Sequence, residues 1–229
     1  MQALSFLYIH PVLKKVILCL FFIIAERGHV ARKKEVTRAE RCININYMNR
    51  LLIVVDYQND FVQGSLGFPE ARSYYDRILS SIDTFSASGD EVVFTRDLHD
   101  ENYLHTEEGR NLPVLHCQRG TDGAKFYGDL ENRSRNCKVF EKDTFPSLAL
   151  GEYLSKRNYD TIVLCGLDLS ICVLANAVMA KSACPDAHII VDVSASGTGD
   201  SEAQVVALKE LKRLQIECRD LSKEHKGYF

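Results

Sequence analysis

Three residues of this 229-residue chain stand in surroundings that suit chemistry: Cys172, Asp56 and Lys142. Cys172 lies in Leu164-Cys-Gly-Leu-Asp-Leu-Ser-Ile-Cys172-Val-Leu-Ala-Asn, which reads as a strand, a turn led by Gly166 and a helix opening at the cysteine. A helix N-terminus offers free N–H groups and partial positive charge, so it lowers a thiol's pKa and can hold a developing oxyanion. Asp56 closes the apolar run Leu51–Val55. A carboxylate at the end of a buried strand is poorly solvated, and its pKa climbs towards the range of a general base. Lys142 follows the strand Lys138–Phe140, where an ammonium held near a thiol and a carboxylate favours thiolate and stabilises charge on a substrate oxygen. Taken singly, each also has a plain structural reading: one small buried thiol among eight, an aspartate capping a turn, a solvated lysine. Asp60 is read as structural.

A second group of residues has the types that ligate metals. Asp97, His99 and His105 are spaced i, i+2 and i+8, and His116 follows in the same loop region. Side chains at i and i+2 of an extended segment point the same way, so Asp97 and His99 can meet one ion. Imidazole with carboxylate suits zinc, iron or manganese, and spacing does not choose among them. The alternative is a hydrogen-bonded Asp-x-His at a strand end, with His105 in a solvated loop.

These residues need a frame that brings them together. From Leu51 onward, short β-branched runs alternate with helical periodicity, the pattern of βαβ units around a parallel sheet. The expected strands are Leu51–Val55, Glu91–Thr95, Lys138–Phe140, Thr161–Cys165, His188–Val193 and Gln215–Arg219. Their nearly continuous apolar content suits strands buried on both faces. Apolar residues from Ala71 to Phe85 recur at helical spacing, with Gly89 as a C-terminal cap. Further helices are expected from about Ser147 to Arg157, from near Cys172 through Ala183, and from about Ser201 to Leu214. The long stretch from Arg96 to Glu141 has little periodicity, and loops of that length in a compact domain are usually functional. Ligand crevices of open α/β sheets lie outside the carboxyl ends of the strands, where Asp56, Asp97, Lys142 and the Gly166 turn all fall.

Composition narrows the class. A hydrophobic share of 46% and a charged share of 26% fit one globular domain with a sizeable core. The net charge of −3 hides an asymmetry: residues 1–47 carry eight Lys/Arg against three Asp/Glu, which leaves the main body acidic and unsuited to nucleic acid. The eight cysteines are scattered with no CxxC pair and several sit in apolar runs, so free thiols in a reducing, cytoplasmic setting are expected. Lys14-Lys15 followed by the ten apolar residues Val16–Ala25 resembles a charged n-region and h-region, but it is too short to span a membrane and no small-residue cleavage site follows. The better reading makes 1–47 an N-terminal extension outside the fold and 48–229 the domain, because Met48-Asn-Arg leads at once into the first strand.

The motifs Asp56-x-Gln-x-Asp-Phe61, Asp97-x-His99, His116-Cys-x-x-Gly120-Thr-x-Gly123-Ala124, Lys142 and Gly166…Cys172 resemble, in this order and over about residues 50–220, the nicotinamidase and isochorismatase-like cysteine hydrolases. The ordered set is specific where each motif alone is weak. The resemblance implies an α/β three-layer sandwich with a six-stranded, mainly parallel sheet flanked by helices. It implies a triad of Asp56, Lys142 and Cys172, an oxyanion hole from the N–H groups of Asp168 and Cys172, and a non-proline cis bond before Asp168. It places Gln58 and Phe61 at the substrate, and one divalent ion on Asp97, His99, His105 and His116 against a substrate ring nitrogen. The implied activity is hydrolysis of a small amide such as nicotinamide to the acid and ammonia, in a homo-oligomer without membrane or nucleic-acid partners. Two rivals are an isochorismatase-type vinyl ether hydrolase, which needs no cysteine nucleophile, and a non-catalytic binding domain, which would be expected to lose one of the triad. Leu169-Ser170 departs from the family's frequent Thr-Asp, and Ser194–Thr198 is too generic to assign.

Overall fold

The computed structural model describes residues 49–223; the segment 1–47, expected to be an extension, lies outside the described residues. Six strands are present: β1 Arg50–Val55, β2 Glu91–Asp97, β3 Lys138–Lys142, β4 Thr161–Gly166, β5 His188–Ser196 and β6 Glu217–Arg219. They form one sheet in the order β3-β2-β1-β4-β5-β6, and every strand pairing is parallel. Four strands, β2 to β5, run longer at their carboxyl ends than the apolar pattern indicates. Asp97 and Lys142 are therefore the last residues of β2 and β3, directly opposite one another in register.

The helices are α1 Asn59–Val62, α2 Tyr75–Ser88, α3 Glu107–Asn111, α4 Leu130–Ser134, α5 Leu148–Leu154, α6 Leu174–Ala183 and α7 Ser201–Arg213. Their ends follow local chemistry. Gly89 takes the left-handed conformation that closes α2, with φ of 77°. The Ser147 hydroxyl accepts from Leu150 N–H to start α5, and the Asp200 carboxylate accepts from Glu202 and Ala203 N–H to start α7.

Successive residues of β1 feed opposite faces of the sheet. Leu51, Ile53 and Val55 pack with Leu150, Leu154, Val173, Ala177 and Leu211, which come from α5 to α7 and the turn before α6. Leu52 and Val54 pack with Ile78, Ile82, Phe85 and Leu130 of α2 and α4. The result is the expected three-layer sandwich. Strand order reverses between β1 and β4, because the chain works outward from β1 to β3 and then crosses to β4. Such a switch point opens a crevice at the carboxyl ends of the two central strands. Asp56 follows β1 there, and the Gly166 turn ends β4.

Candidate active site

Asp56 leaves β1 with φ of 44°, a left-handed conformation that aspartate tolerates better than most residues. It is fully buried. One carboxylate oxygen accepts from the Thr95 hydroxyl at 2.7 Å, and the other lies 2.7 Å from Lys142 Nζ. Lys142 in turn donates to Asp97 Oδ1 at 3.0 Å and stands 3.7 Å from Cys172 Sγ. One buried ammonium thus touches two carboxylates and the thiol. Burial pushes the Asp56 carboxyl up, as its strand-end position led us to expect, while Lys142 pulls it down. Burial works against charge on Lys142, but Asp56, Cys172 and Asp97 overcome it and hold its pKa well above the ordinary value.

Cys172 is placed differently from the expectation. The regular helix α6 begins at Leu174, and Cys172 belongs to a wider turn, Leu169–Val173, that precedes it. The Asp168 side chain caps this turn by accepting from Ser170 N–H at 2.7 Å. The thiol's pKa is raised rather than lowered: burial dominates, Lys142 opposes it, and the carboxylates of Asp56 and Asp97 add to it. Burial and the two carboxylates therefore favour the thiol over the thiolate here, with Asp56 as the neighbouring base. What separates Cys172 from the equally buried Cys165 is the company of Lys142 and Asp56, since Cys165 is raised by burial and Asp192 with no cation to oppose them.

The turn is held to its neighbours by main-chain contacts. The Leu167–Asp168 bond is cis, and Leu169 N–H donates to Gly197 C=O at 2.8 Å. Gly166, with φ of 123°, lets β4 approach β1 so closely that a Cβ there would lie 2.0 Å from Val55 O. Asn176, fully buried, was not singled out from sequence. Its amide donates to Cys172 C=O at 2.8 Å and to Phe145 C=O at 3.2 Å, and its oxygen accepts from Ser147 N–H at 3.0 Å. It ties the cysteine's turn to the loop that follows Lys142. The signal was available: a polar residue four positions after Cys172 on the buried face of an apolar helix.

The metal-type residues separate. Asp97, His99 and His116 are buried and bring one ligand atom each within 4.8 Å of the others. His99 Nε2 lies 2.9 Å and His116 Nε2 3.3 Å from Asp97 Oδ2. His116 Nδ1 donates to Val114 C=O at 2.8 Å, which orients the ring so that Nε2 faces Asp97, the nitrogen that would serve a metal once its proton is lost. Burial disfavours the His116 cation, but Asp97 and the Val114 carbonyl outweigh burial and raise its pKa. Asp97 is pushed up by burial, yet hydrogen bonds from His116 and His99 and the charge of Lys142 bring it below the usual carboxylate range.

His105 does not join this cluster. It is exposed at the end of a short helical turn, Tyr103–His105, whose cap is followed by α3. Spacing of i+8 counts residues along a loop, and the Thr106 cap turns this loop so that Glu108, not His105, faces inward. Glu108 Oε1 lies 3.8 Å from His99 Nε2, and its Oε2 is buried without a hydrogen-bond partner. An acceptor oxygen left over beside two imidazoles and a carboxylate fits a divalent cation. A cleft of about 640 Å³ reaches His99, Glu108 and Lys142.

The two expected substrate contacts also diverge. Gln58 is fully buried and its amide is spent on main chain: Nε2 donates to Asp97 C=O at 2.8 Å and Ala124 C=O at 3.0 Å, and Oε1 accepts from Asp97 N–H at 2.7 Å. It clamps the end of β2 beside Asp97. Phe61 is half-buried and sits edge-on to His116 with ring centres 5.7 Å apart, beside the metal-type cluster. Asp60 accepts from Cys117 N–H at 2.7 Å and so pins the His116 loop, in line with a structural role.

A family model of the isochorismatase domain matches residues 50–222. The chain belongs to the isochorismatase family. Among solved members of this family, the nicotinamidase/pyrazinamidase of Bacillus subtilis is 31% identical, with a TM-score of 0.67 over 75% of this chain and 99% of that one. A pyrazinamidase of Pyrococcus horikoshii, solved in complex with zinc, is 27% identical with a TM-score of 0.66 over 75% and 98% of the two chains. The nicotinamidase/pyrazinamidase of Mycobacterium tuberculosis is 26% identical over 183 residues, 73% of this chain and 97% of that one. Among the described residues of this isochorismatase-family chain, no helix is long and apolar enough to cross a membrane.

Proposed function

We propose that this chain is a cysteine-dependent amidohydrolase of the nicotinamidase kind, which converts a small ring amide into its acid and ammonia. The observation that carries this reading is Lys142 Nζ, 2.7 Å from Asp56 and 3.7 Å from Cys172 Sγ. A buried cation between a base and a thiol is the arrangement that nucleophilic catalysis needs.

The chemistry follows from the charges. The Cys172 thiol is neutral at rest, so its proton must leave as sulfur attacks, and Asp56 takes it. Lys142 offsets the negative charge as it passes from Asp56 to sulfur. The Sγ–C bond forms, and the carbonyl electron pair moves to oxygen, where the N–H groups of Asp168 and Cys172 receive it. Collapse of this intermediate breaks the C–N bond, and the proton on Asp56 goes to the departing nitrogen, which leaves as ammonia. A water then gives a proton to Asp56 and its hydroxyl to the thioester carbon; as this intermediate collapses the C–Sγ bond breaks, the proton on Asp56 returns to sulfur, and the acid leaves. Phe61 walls the substrate ring. Asp97, His99 and His116 would hold a divalent ion, with Glu108 beside them, and such an ion supplies a Lewis-acid anchor for a substrate nitrogen.

The six described cysteines are free, which supports a reducing, cytoplasmic setting. The test is ammonia release by purified protein from a panel of small amides, nicotinamide first, with and without chelator. Release from ring amides by wild type but not by Cys172→Ala supports the proposal; no release from any amide defeats it. The vinyl ether hydrolase and binding-domain alternatives have no observation in their favour: the first needs no cysteine nucleophile, and the second would be expected to lose one of Asp56, Lys142 and Cys172.

A further inference from the structure

Asparagine is costly inside an apolar helix, because a buried amide needs partners for its N–H groups and its oxygen. α6 nevertheless carries Asn176 in its first turn, fully buried. Its Nδ2 donates to the carbonyls of Cys172 and Phe145, at 2.8 and 3.2 Å, and its Oδ1 accepts from Ser147 N–H at 3.0 Å. Every one of these partners is main chain, so the amide is spent on holding backbone in place. The first is the carbonyl of the nucleophile itself. The others belong to the loop 143–147, which leads from Lys142 at the end of β3 to the start of α5.

The ammonium and the thiol are placed by different means. Lys142 is the last residue of β3, set in register opposite Asp97. Cys172 lies in the turn Leu169–Val173, outside both β4 and the regular helix, so strand pairing does not fix its distance from Lys142. The loop that follows Lys142 is weakly held by its own side chains, since Asp143, Thr144 and Phe145 are exposed and burial resumes only towards Ser147. Asn176 bonds to this loop and to the cysteine's turn at once. Holding the Cys172 carbonyl restrains that residue's backbone, and with it the direction of Sγ and of the N–H that would meet the oxyanion. The gap from Lys142 Nζ to Sγ is already 3.7 Å, and a misplacement of about 1 Å can cost about 100-fold in rate. We propose that Asn176 is a positioning residue, whose bonds to Cys172, Phe145 and Ser147 clamp the nucleophile's turn to the loop leaving Lys142 and so hold Sγ within reach of the ammonium. This inference rests on the reading of Cys172 as the nucleophile.

The test compares the full chain with Asn176→Leu, which keeps the bulk and removes every one of these bonds, and with Asn176→Thr, whose hydroxyl reaches the carbonyl four residues back but not the loop. All are measured well below their melting temperatures. In nicotinamide hydrolysis Asn176→Leu should lose about 100-fold in kcat with KM within about twofold of wild type, because the amide has no group left over for substrate. Alkylation of Cys172 by iodoacetamide at fixed pH, read peptide by peptide, should slow about tenfold as the thiolate loses the ammonium. Alkylation of the half-buried Cys137 and Cys218 should not change. Asn176→Thr should lose about tenfold in kcat, with slower alkylation of Cys172, and carries the test if Asn176→Leu does not fold. Wild-type kcat and Cys172 alkylation in either folded variant, or a loss confined to KM, would overturn the proposal. Failure of the amidohydrolase reading shows separately: wild type then releases no ammonia, while the alkylation rates still decide the role of Asn176.

Discussion

Replacing Lys142 with methionine removes the one charge that holds the cluster together while keeping the side chain's length. The lysine side chain is 2% exposed and its Nζ lies 2.7 Å from Asp56 and 3.0 Å from Asp97. The variant therefore leaves two buried carboxylates without their cation. Removing one partner of a buried ion pair costs about 3–5 kcal/mol. In a domain of this size each kcal/mol lowers the melting temperature by roughly 2–4 °C, so a fall of about 6–20 °C is expected near neutral pH. The pH dependence has a definite sign. Burial already raises Asp56 and Lys142 opposes it; Asp97, pushed up by burial, is kept low by its histidines and by Lys142. Without the ammonium both folded pKa values move up. A group raised in the folded state contributes stability that is full below its unfolded pKa and lost as pH rises through the folded one. The gap between wild type and Lys142→Met should accordingly be widest near neutrality and narrow as the pH falls towards about 4, the unfolded carboxylate range. Scanning fluorimetry of both proteins across this range measures it. Equal melting temperatures at neutral pH, or a gap that does not change with pH, would refute the reasoning.

Cys172→Ala should fold normally and lose about 10⁴-fold or more in kcat/KM for amide hydrolysis, measured by ammonia release. His116→Ala should lose bound zinc on dialysis while His105→Ala keeps it, which elemental analysis of the two proteins will show. Glu108→Gln should weaken zinc binding by about 10- to 100-fold, the range for a supporting contact, read by competition with a chromogenic chelator. Gly166→Ala should destabilise the fold by about 2–4 kcal/mol, because its Cβ would meet Val55 O at 2.0 Å on a backbone with φ of 123°; urea denaturation tests this.

The strands were legible because a parallel sheet covered on both faces demands apolar runs, and those of β1 and β4 are buried nearly throughout. Asp56 and Lys142 stand at strand ends and Cys172 after the turn that leaves β4, but each alone had a plain structural reading, and it was the resemblance of the ordered motifs that singled out the three together. Loop geometry was not legible. His105 and Glu108 are three residues apart, and only the turn capped by Thr106 decides which faces His99. Gln58 was placed only by the resemblance; that its amide pairs with the main chain of Asp97 and Ala124 had no local signal. Such long-range pairings leave no local pattern. The turn at Cys172 misled in a smaller way: apolar spacing locates a helix start without telling a wide first turn from a regular one, and it says nothing of the burial that raises the thiol's pKa.

The claim that Cys172 carries the acyl group is tested most directly by mass spectrometry of the enzyme mixed with nicotinamide and quenched in acid. The account predicts a nicotinoyl group attached to the peptide containing Cys172, absent from the other cysteine peptides and absent in Cys172→Ala. Turnover of nicotinamide by Cys172→Ala at the wild-type rate, or an acyl group found on a different cysteine, would contradict it.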